Sequence, residues 1–167
     1  MKSKLRTIID TLPQTGTLVS IAIRPIKREP LVYQAEVQLN PEEGIIGDHY
    51  SGTSGKRQVT LIQEEHLKGV AQMLDTPEID PLLTRRNLVV SCINLLAFKG
   101  RQFYIGETLL EMTGPCEPCS RMEDNFGPGG YNAMRGHGGI CARVLEGGTI
   151  RTGDQVRLAP VTESTPA

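Results

Sequence analysis

Along residues 31–39 the apolar side chains Leu31, Tyr33, Ala35, Val37 and Leu39 take every second position, the period of a strand with one buried face. Residues 17–23 form another extended run. Near the N terminus the period changes. Leu5, Ile8, Ile9 and Leu12 recur at the spacing of one helical face and predict a short docking or capping helix that ends before Pro13. Residues 57–63 carry strand patterning through Val59 and Leu61. Leu67, Val70, Ala71 and Leu74 then switch to helical spacing behind Glu64 and Glu65, whose charges suit a helix start, so a strand feeds a helix. Four more short strands are predicted at 87–92, 108–113, 140–145 and 155–159, separated by turn residues such as Lys99-Gly100, Gly147-Gly148 and Gly153-Asp154. The last eight residues, PVTESTPA, read as a frayed tail. With no internal repeat and no low-complexity linker, the pattern predicts one domain over residues 1–167, built on a barrel-like or sandwiched β core.

Composition supports the β reading and narrows the ligand. Eighteen glycines, eleven prolines and no tryptophan in 167 residues imply many tight turns between short elements. The formal net charge of -1 argues against a general nucleic-acid or membrane-surface binder and favours a small ligand. Apolar runs such as residues 93–98 are far too short to span a bilayer, and the first twelve residues lack the apolar stretch of a signal peptide, so the expected location is the cytoplasm. In that setting the four cysteines are expected to stay as thiols.

Two of those cysteines lie together in GPCEPCSRME, residues 114–123. A structural zinc site needs four ligands, and completing the Cys116–Cys119 pair with Cys92, Cys141 and His137 requires irregular spacings. A thioredoxin-type motif needs a long helix behind it, whereas a strand precedes this C-x-x-C and the turn-like DNFGPGG follows it. The remaining alternative is a pair of inert loop cysteines. Against this, Pro115 and Pro118 stiffen the loop and hold a sulfur at a defined place, which suits a ligand or nucleophile. The glycine-rich segment that follows, with Arg121, Arg135 and His137 about it, either brings backbone N–H groups to an anion or is simply flexible. Asp48, His49 and Arg57 sit in a glycine-spaced loop and can present a carboxylate, an imidazole and a guanidinium at a cavity rim; turn chemistry is the alternative. Arg85 and Asn87, two apart at the mouth of a strand, are predicted to share a face, where their donors suit phosphate or pterin oxygens; a solvated strand end is the alternative.

In order along residues 18–158, the segments GDHYSG, RQVTLIQ, RRNLVVS, GPCEPC, GHGGICARVLEGG and IRTGDQVRL resemble a MOSC domain, named after the C-terminal domain of molybdenum cofactor sulfurases. The resemblance implies a closed, mainly β barrel with a few short helices, related to the pyruvate kinase β-barrel domain. It implies that Cys119 is the functional cysteine and molybdenum ligand, with Cys116 a more variable second thiol. It likens Arg85 and Asn87 to residues that contact the pterin of the molybdenum cofactor (molybdopterin), and Asp48, His49 and Arg57 to a second pocket-lining loop. Family members either reduce N-hydroxylated small molecules with electrons from a partner such as a flavoprotein, or carry sulfur received as persulfide from a cysteine desulfurase. A third expectation is a non-catalytic cofactor carrier. The leading expectation is the reductase.

Overall fold

The computed structural model describes residues 3–50 and 52–161. In chain order the elements are α1 (Lys4–Ile9), β1 (Gly16–Ile23), β2 (Val32–Gln34), β3 (Glu36–Asn40), β4 (Gly44–Ile45), β5 (Val59–Gln63), α2 (Glu64–Met73), β6 (Leu88–Ser91), β7 (Gln102–Ile105), β8 (Thr108–Pro115), α3 (Arg121–Phe126), α4 (Gly130–Met134), β9 (Ile140–Glu146), β10 (Gly148–Arg151) and β11 (Gln155–Leu158). Single 3-10 turns occupy Pro81–Thr84 and Leu95–Phe98.

Seven strands close a barrel in the order β1, β6, β5, β9, β8, β7, β11, and β11 returns to β1 through Gly16 opposite Val156. This is the closed, mainly β barrel with a few short helices that the family resemblance implies, and it settles the choice between barrel and sandwich that the strand pattern left open. Pairing is antiparallel except between β5 and β6, which run parallel because α2 carries the chain back between them. A smaller sheet, β10–β3–β4, caps the barrel, and its Val37, Leu39, Ile45 and Ile150 join the barrel core of Leu18, Leu61, Phe98, Phe103 and Leu110.

Both faces of β5 are buried, each against a different partner. Val59 and Leu61 point into the barrel, while Ile62 faces Leu67, Val70 and Ala71 of α2. Those helix residues recur at i, i+3 and i+4, so one stripe of α2 is buried and the rest stays wet. Burying each of the larger ones stabilises the fold by about 1.5–3 kcal/mol.

Three local expectations change. The run 31–39 is two strands in two sheets, broken at Ala35: β2 pairs with β1 while β3 pairs with β10. Alternation survives within each half, but a single bend sends the halves to different partners. The N-terminal helix forms but does not dock by its apolar face, since Leu5, Ile8 and Ile9 are 66%, 58% and 57% exposed and only Leu12, beyond the helix, meets the core. An ion pair from Asp10 to Arg101 (3.8 Å) tethers its C-terminal end. The segment after Cys119, expected to be loop, is the short helix α3 followed by α4; Met122, Ala133 and Met134 bury beneath them and override the local glycine content. Of the expected tail, residues 162–167 lie outside the described residues, and Pro160 and Val161 have no regular structure.

Candidate functional site

One end of the barrel gathers five chain segments around a cavity of about 150 Å³. Arg24 leaves the end of β1; Asp48, His49 and Tyr50 follow β4; Arg57 and Thr60 enter β5; Arg85, Arg86 and Asn87 enter β6; and Cys119 follows β8. Of the seven residues singled out for the site, Asp48, His49, Arg57, Arg85, Asn87 and Cys119 line it, and Cys116 does not. A larger groove of about 610 Å³ runs between α2 and the β1–β2 pair, but its lining contains no thiol, no imidazole and no guanidinium.

The means of convergence differ from those expected. Arg85 and Asn87 are not successive same-face positions of a strand. Arg85 ends the 3-10 turn Pro81–Thr84 in a left-handed conformation (φ 63°), and β6 begins only at Leu88. Asn87 is buried and its amide already has structural work: Oδ1 accepts from the Thr60 N–H (3.1 Å) and hydroxyl (3.0 Å), and Nδ2 donates to the Ala22 carbonyl (3.2 Å). It ties β1, β5 and β6 together at the floor of the cavity. Asn87→Ala is therefore expected to cost about 2–3 kcal/mol, because buried donors and an acceptor lose their partner. A urea melt checks this, and unchanged stability would leave Asn87 with a ligand-facing role only.

The Asp48 loop is equally well defined. Asp48 Oδ1 accepts from the Arg24 N–H (2.7 Å), and the His49 N–H donates to the Arg24 carbonyl (2.6 Å), so a turn carboxylate fixes the rim while the His49 side chain stays exposed.

Four arginines, Arg24, Arg57, Arg85 and Arg86, line the cavity against one carboxylate, Asp48. Burial, followed by Arg24 and Arg121, pulls Arg85 below the ordinary arginine value, while Cys119 acts in the opposite sense. Arg24 is lowered chiefly by burial, with Asp48 opposing and Arg121 reinforcing. Both remain cations, since guanidinium groups do not deprotonate in proteins. Crowded like charges of this kind are relieved by an anion. Arg24 Nε is also buried without a hydrogen-bond partner among the described residues, a donor left open at the cavity.

The two loop thiols face opposite ways. Cys119 is exposed at the cavity beside Arg85, and its carbonyl accepts from the Met122 N–H at 2.9 Å as α3 begins. Cys116 is only 2% exposed and lies under the loop, where its N–H donates to the Gly139 carbonyl (2.8 Å). The neighbouring Cys141 thiol, first of all, and then Arg86 and Arg57 draw Cys116 well below the ordinary cysteine range, against its burial. Cys141 is pushed up, by Cys116 and by burial. Cys141, whose Sγ donates to the Pro115 carbonyl (3.9 Å), rather than Cys119, is thus the thiol that bears on Cys116.

Arg86, one of the residues that sequence pattern misses, holds this arrangement. It is 3% exposed, and it donates to the carbonyls of Gly138 (2.8 Å), Thr84 (2.9 Å), Cys116 (3.2 Å) and Glu117 (3.3 Å). One guanidinium fork therefore joins the thiol loop, the glycine segment and the turn before β6. Arg24, Tyr50 and Thr60 are missed as well. The only clue in the sequence is Arg24 directly after the buried run of β1; the Arg85-Arg86 doublet conceals that, of two arginines lining the cavity, Arg86 is committed to backbone carbonyls.

The zinc alternative fails on position. Cys92 is exposed and donates its N–H to Glu65, Cys141 sits with Cys116, and His137 meets His66 edge to face. Among the described residues no three histidine, cysteine or acidic side chains gather as a metal site. The glycines are not an anion cradle in the cavity, as none lines it. Gly138 and Gly139 instead let backbones approach: a Cβ would strike the Cys116 carbonyl at the first and the Leu61 carbonyl at the second, where φ is also +85°.

No helix of the described residues is long and apolar enough to cross a membrane. No curated protein matches the chain. Among solved structures, the YUAD protein from Bacillus subtilis is similar at 18% identity and TM-score 0.76, over 89% of this chain and 98% of that one. YiiM from Escherichia coli matches at 18% identity and TM-score 0.65, over 90% and 72%. YiiM from Geobacillus stearothermophilus matches at 18% and 0.65, over 87% and 75%. These likenesses establish the shared fold. The family model of the MOSC domain matches residues 42–157, more than half the chain and the stretch that carries Asp48, Arg57, Arg85, Asn87 and Cys119. The chain belongs to the MOSC domain family.

Proposed function

We propose that the arginine-lined cavity binds the molybdenum cofactor, with Cys119 as the protein ligand to the metal, and that the protein reduces N-hydroxylated small molecules with electrons from a flavoprotein partner in the cytoplasm. MOSC domains are associated with the molybdenum cofactor. The observation that carries the reading is the meeting of an exposed thiol with four arginines and a single carboxylate in one cavity.

The residues present suit such a group. Its phosphate is an anion, and Arg24, Arg57 and Arg85 supply charge-assisted donors, the orphaned Nε of Arg24 among them. Cys119 supplies a soft thiolate for a metal that already carries sulfur ligands. When bound, the cofactor supplies a two-electron redox centre. The net reaction takes R–NH–OH, two electrons and two protons to R–NH2 and water. In this reading His49, exposed on the rim, passes a proton to the departing hydroxyl, and Tyr50 lines the cavity beside it.

Arg85→Ala is expected to weaken cofactor retention by about 1.5–3 kcal/mol, the worth of a hydrogen bond to a charged group, without unfolding the barrel. Pterin fluorescence after gel filtration reads this, and undiminished retention would count against the assignment. The activity is tested by supplying a reduced flavoprotein and an N-hydroxylated base or amidoxime. Turnover supports reduction; cofactor bound without turnover leaves a carrier.

The second reading, sulfur transfer, is favoured by the same exposed Cys119, which a cysteine desulfurase could load with persulfide. Sulfane sulfur on Cys119 in metal-free protein would favour it.

A further inference from the structure

The GHGG stretch, residues 136–139, contributes nothing to the lining of the Cys119 cavity, yet it grips the thiol loop at two points. The Gly138 carbonyl accepts from Arg86 Nε at 2.8 Å, and the Gly139 carbonyl accepts the Cys116 N–H at 2.8 Å. His137, the residue before both, meets His66 of α2 edge to face, with ring centroids 4.9 Å apart and planes at 78°. The Nδ1 atoms of both rings are buried without a hydrogen-bond partner among the described residues. A buried polar atom without a partner is costly, and two imidazoles in contact resist carrying two positive charges.

The groups that bear on His66 are few. Burial chiefly, and then His137 across the contact, hold it below the ordinary histidine value, while Glu65 on its own helix acts in the opposite sense. That carboxylate is itself engaged, accepting the Cys92 N–H at 2.5 Å. The closed arrangement therefore favours the neutral form of His66.

We propose that the His66–His137 contact is a pH-sensitive latch on the thiol loop: proton uptake by His66 drives the rings apart and withdraws Gly138 and Gly139 from Arg86 and Cys116. Proton uptake opens the latch because the folded value of His66 is depressed, so the open or unfolded chain binds the proton more tightly. The latch is fully stable above the ordinary histidine value of about 6.5 and weakens as the pH falls below it towards the depressed value. Opening also strips a buried arginine of one acceptor, which carries the disturbance to Glu117 and on to Cys119. The inference concerns the loop alone and does not depend on which ligand the cavity holds.

Hydrogen–deuterium exchange on the full chain at about pH 7.5 and about pH 5, brackets for the ordinary histidine value, tests it once rates are corrected for intrinsic amide chemistry. The peptide holding the Cys116 amide is expected to lose protection severalfold on acidification, while barrel amides of β8 and β9 keep theirs. In His66→Phe, which keeps a ring but cannot take up a proton, and in His66→Gln, that acid-dependent loss is expected to vanish. Three results would overturn the latch: a Cys116 amide indifferent to pH in the wild type, a loss shared equally by the barrel core, or the same loss in either folded variant.

Discussion

Cys119→Ser is expected to yield a folded protein that retains no molybdenum and shows no reductase turnover. The side chain is exposed at the cavity, so the substitution removes no core packing and strands no buried partner. What it removes is a soft sulfur donor. A serine hydroxyl is hard and stays protonated at neutral pH, so bound metal is expected to fall by more than about tenfold, equivalent to at least ~1.4 kcal/mol of affinity. Cys116→Ser should act differently. Its site is buried against Cys141 and beneath Arg86, so the expected effect is mainly on stability, about 1 kcal/mol for a disturbed buried polar contact, with partial retention of metal. Metal content and turnover of both variants under reducing conditions make the comparison. Equal loss from both would point to a dithiol acting as a unit, and full activity in Cys119→Ser would remove Cys119 from the chemistry.

Arg86 carries the largest expected stability effect. Arg86→Met fills the volume but leaves four carbonyls, those of Gly138, Thr84, Cys116 and Glu117, without the donor that joins them. Some rehydrate, and the desolvation of the buried cation is recovered, so the expected net loss is about 3 kcal/mol. Arg86→Lys is the sharper variant. It keeps the charge but concentrates its donors at one point, which cannot reach carbonyls spread over three chain segments. Lysine is therefore expected to be no more stable than methionine, and both should shed cofactor because the loop that presents Cys119 is no longer pinned. Denaturant midpoints with pterin retention measure this. Wild-type stability in Arg86→Lys would show that charge alone, not the fork, holds the loop.

Much of this barrel is visible in the sequence because its strands announce themselves in two ways. In β6 the run Leu88, Val89 and Val90 marks burial on both faces, and in β3 alternation marks burial on one. The helix α2 is legible because Leu67, Val70 and Ala71 keep strict helical spacing. What escapes is set by contacts distant in sequence. Nothing local in residues 31–39 says that Ala35 is where the chain leaves one sheet for another. Nothing in DNFGPGG reveals α3 and α4, whose stability rests on Met122 and Met134 meeting α2 and β6 residues. The cavity shows the same division. Its exposed members, Cys119, His49 and Arg57, lie in glycine- and proline-rich loops where chemistry is expected, and they are read correctly as neighbours. Arg86 looks like a surface charge beside another arginine, and only the folded backbone turns it inward. Asn87 is found for the wrong reason, since its amide joins three strands before it can serve a ligand.

The most direct measurement is the molybdenum content of the wild-type protein, purified from cells that make the cofactor and set beside Cys119→Ser prepared in parallel. The account predicts molybdenum close to one atom per chain in the wild type, accompanied by pterin, and neither in the variant. Wild-type protein that carries sulfane sulfur on Cys119 and no molybdenum would contradict it.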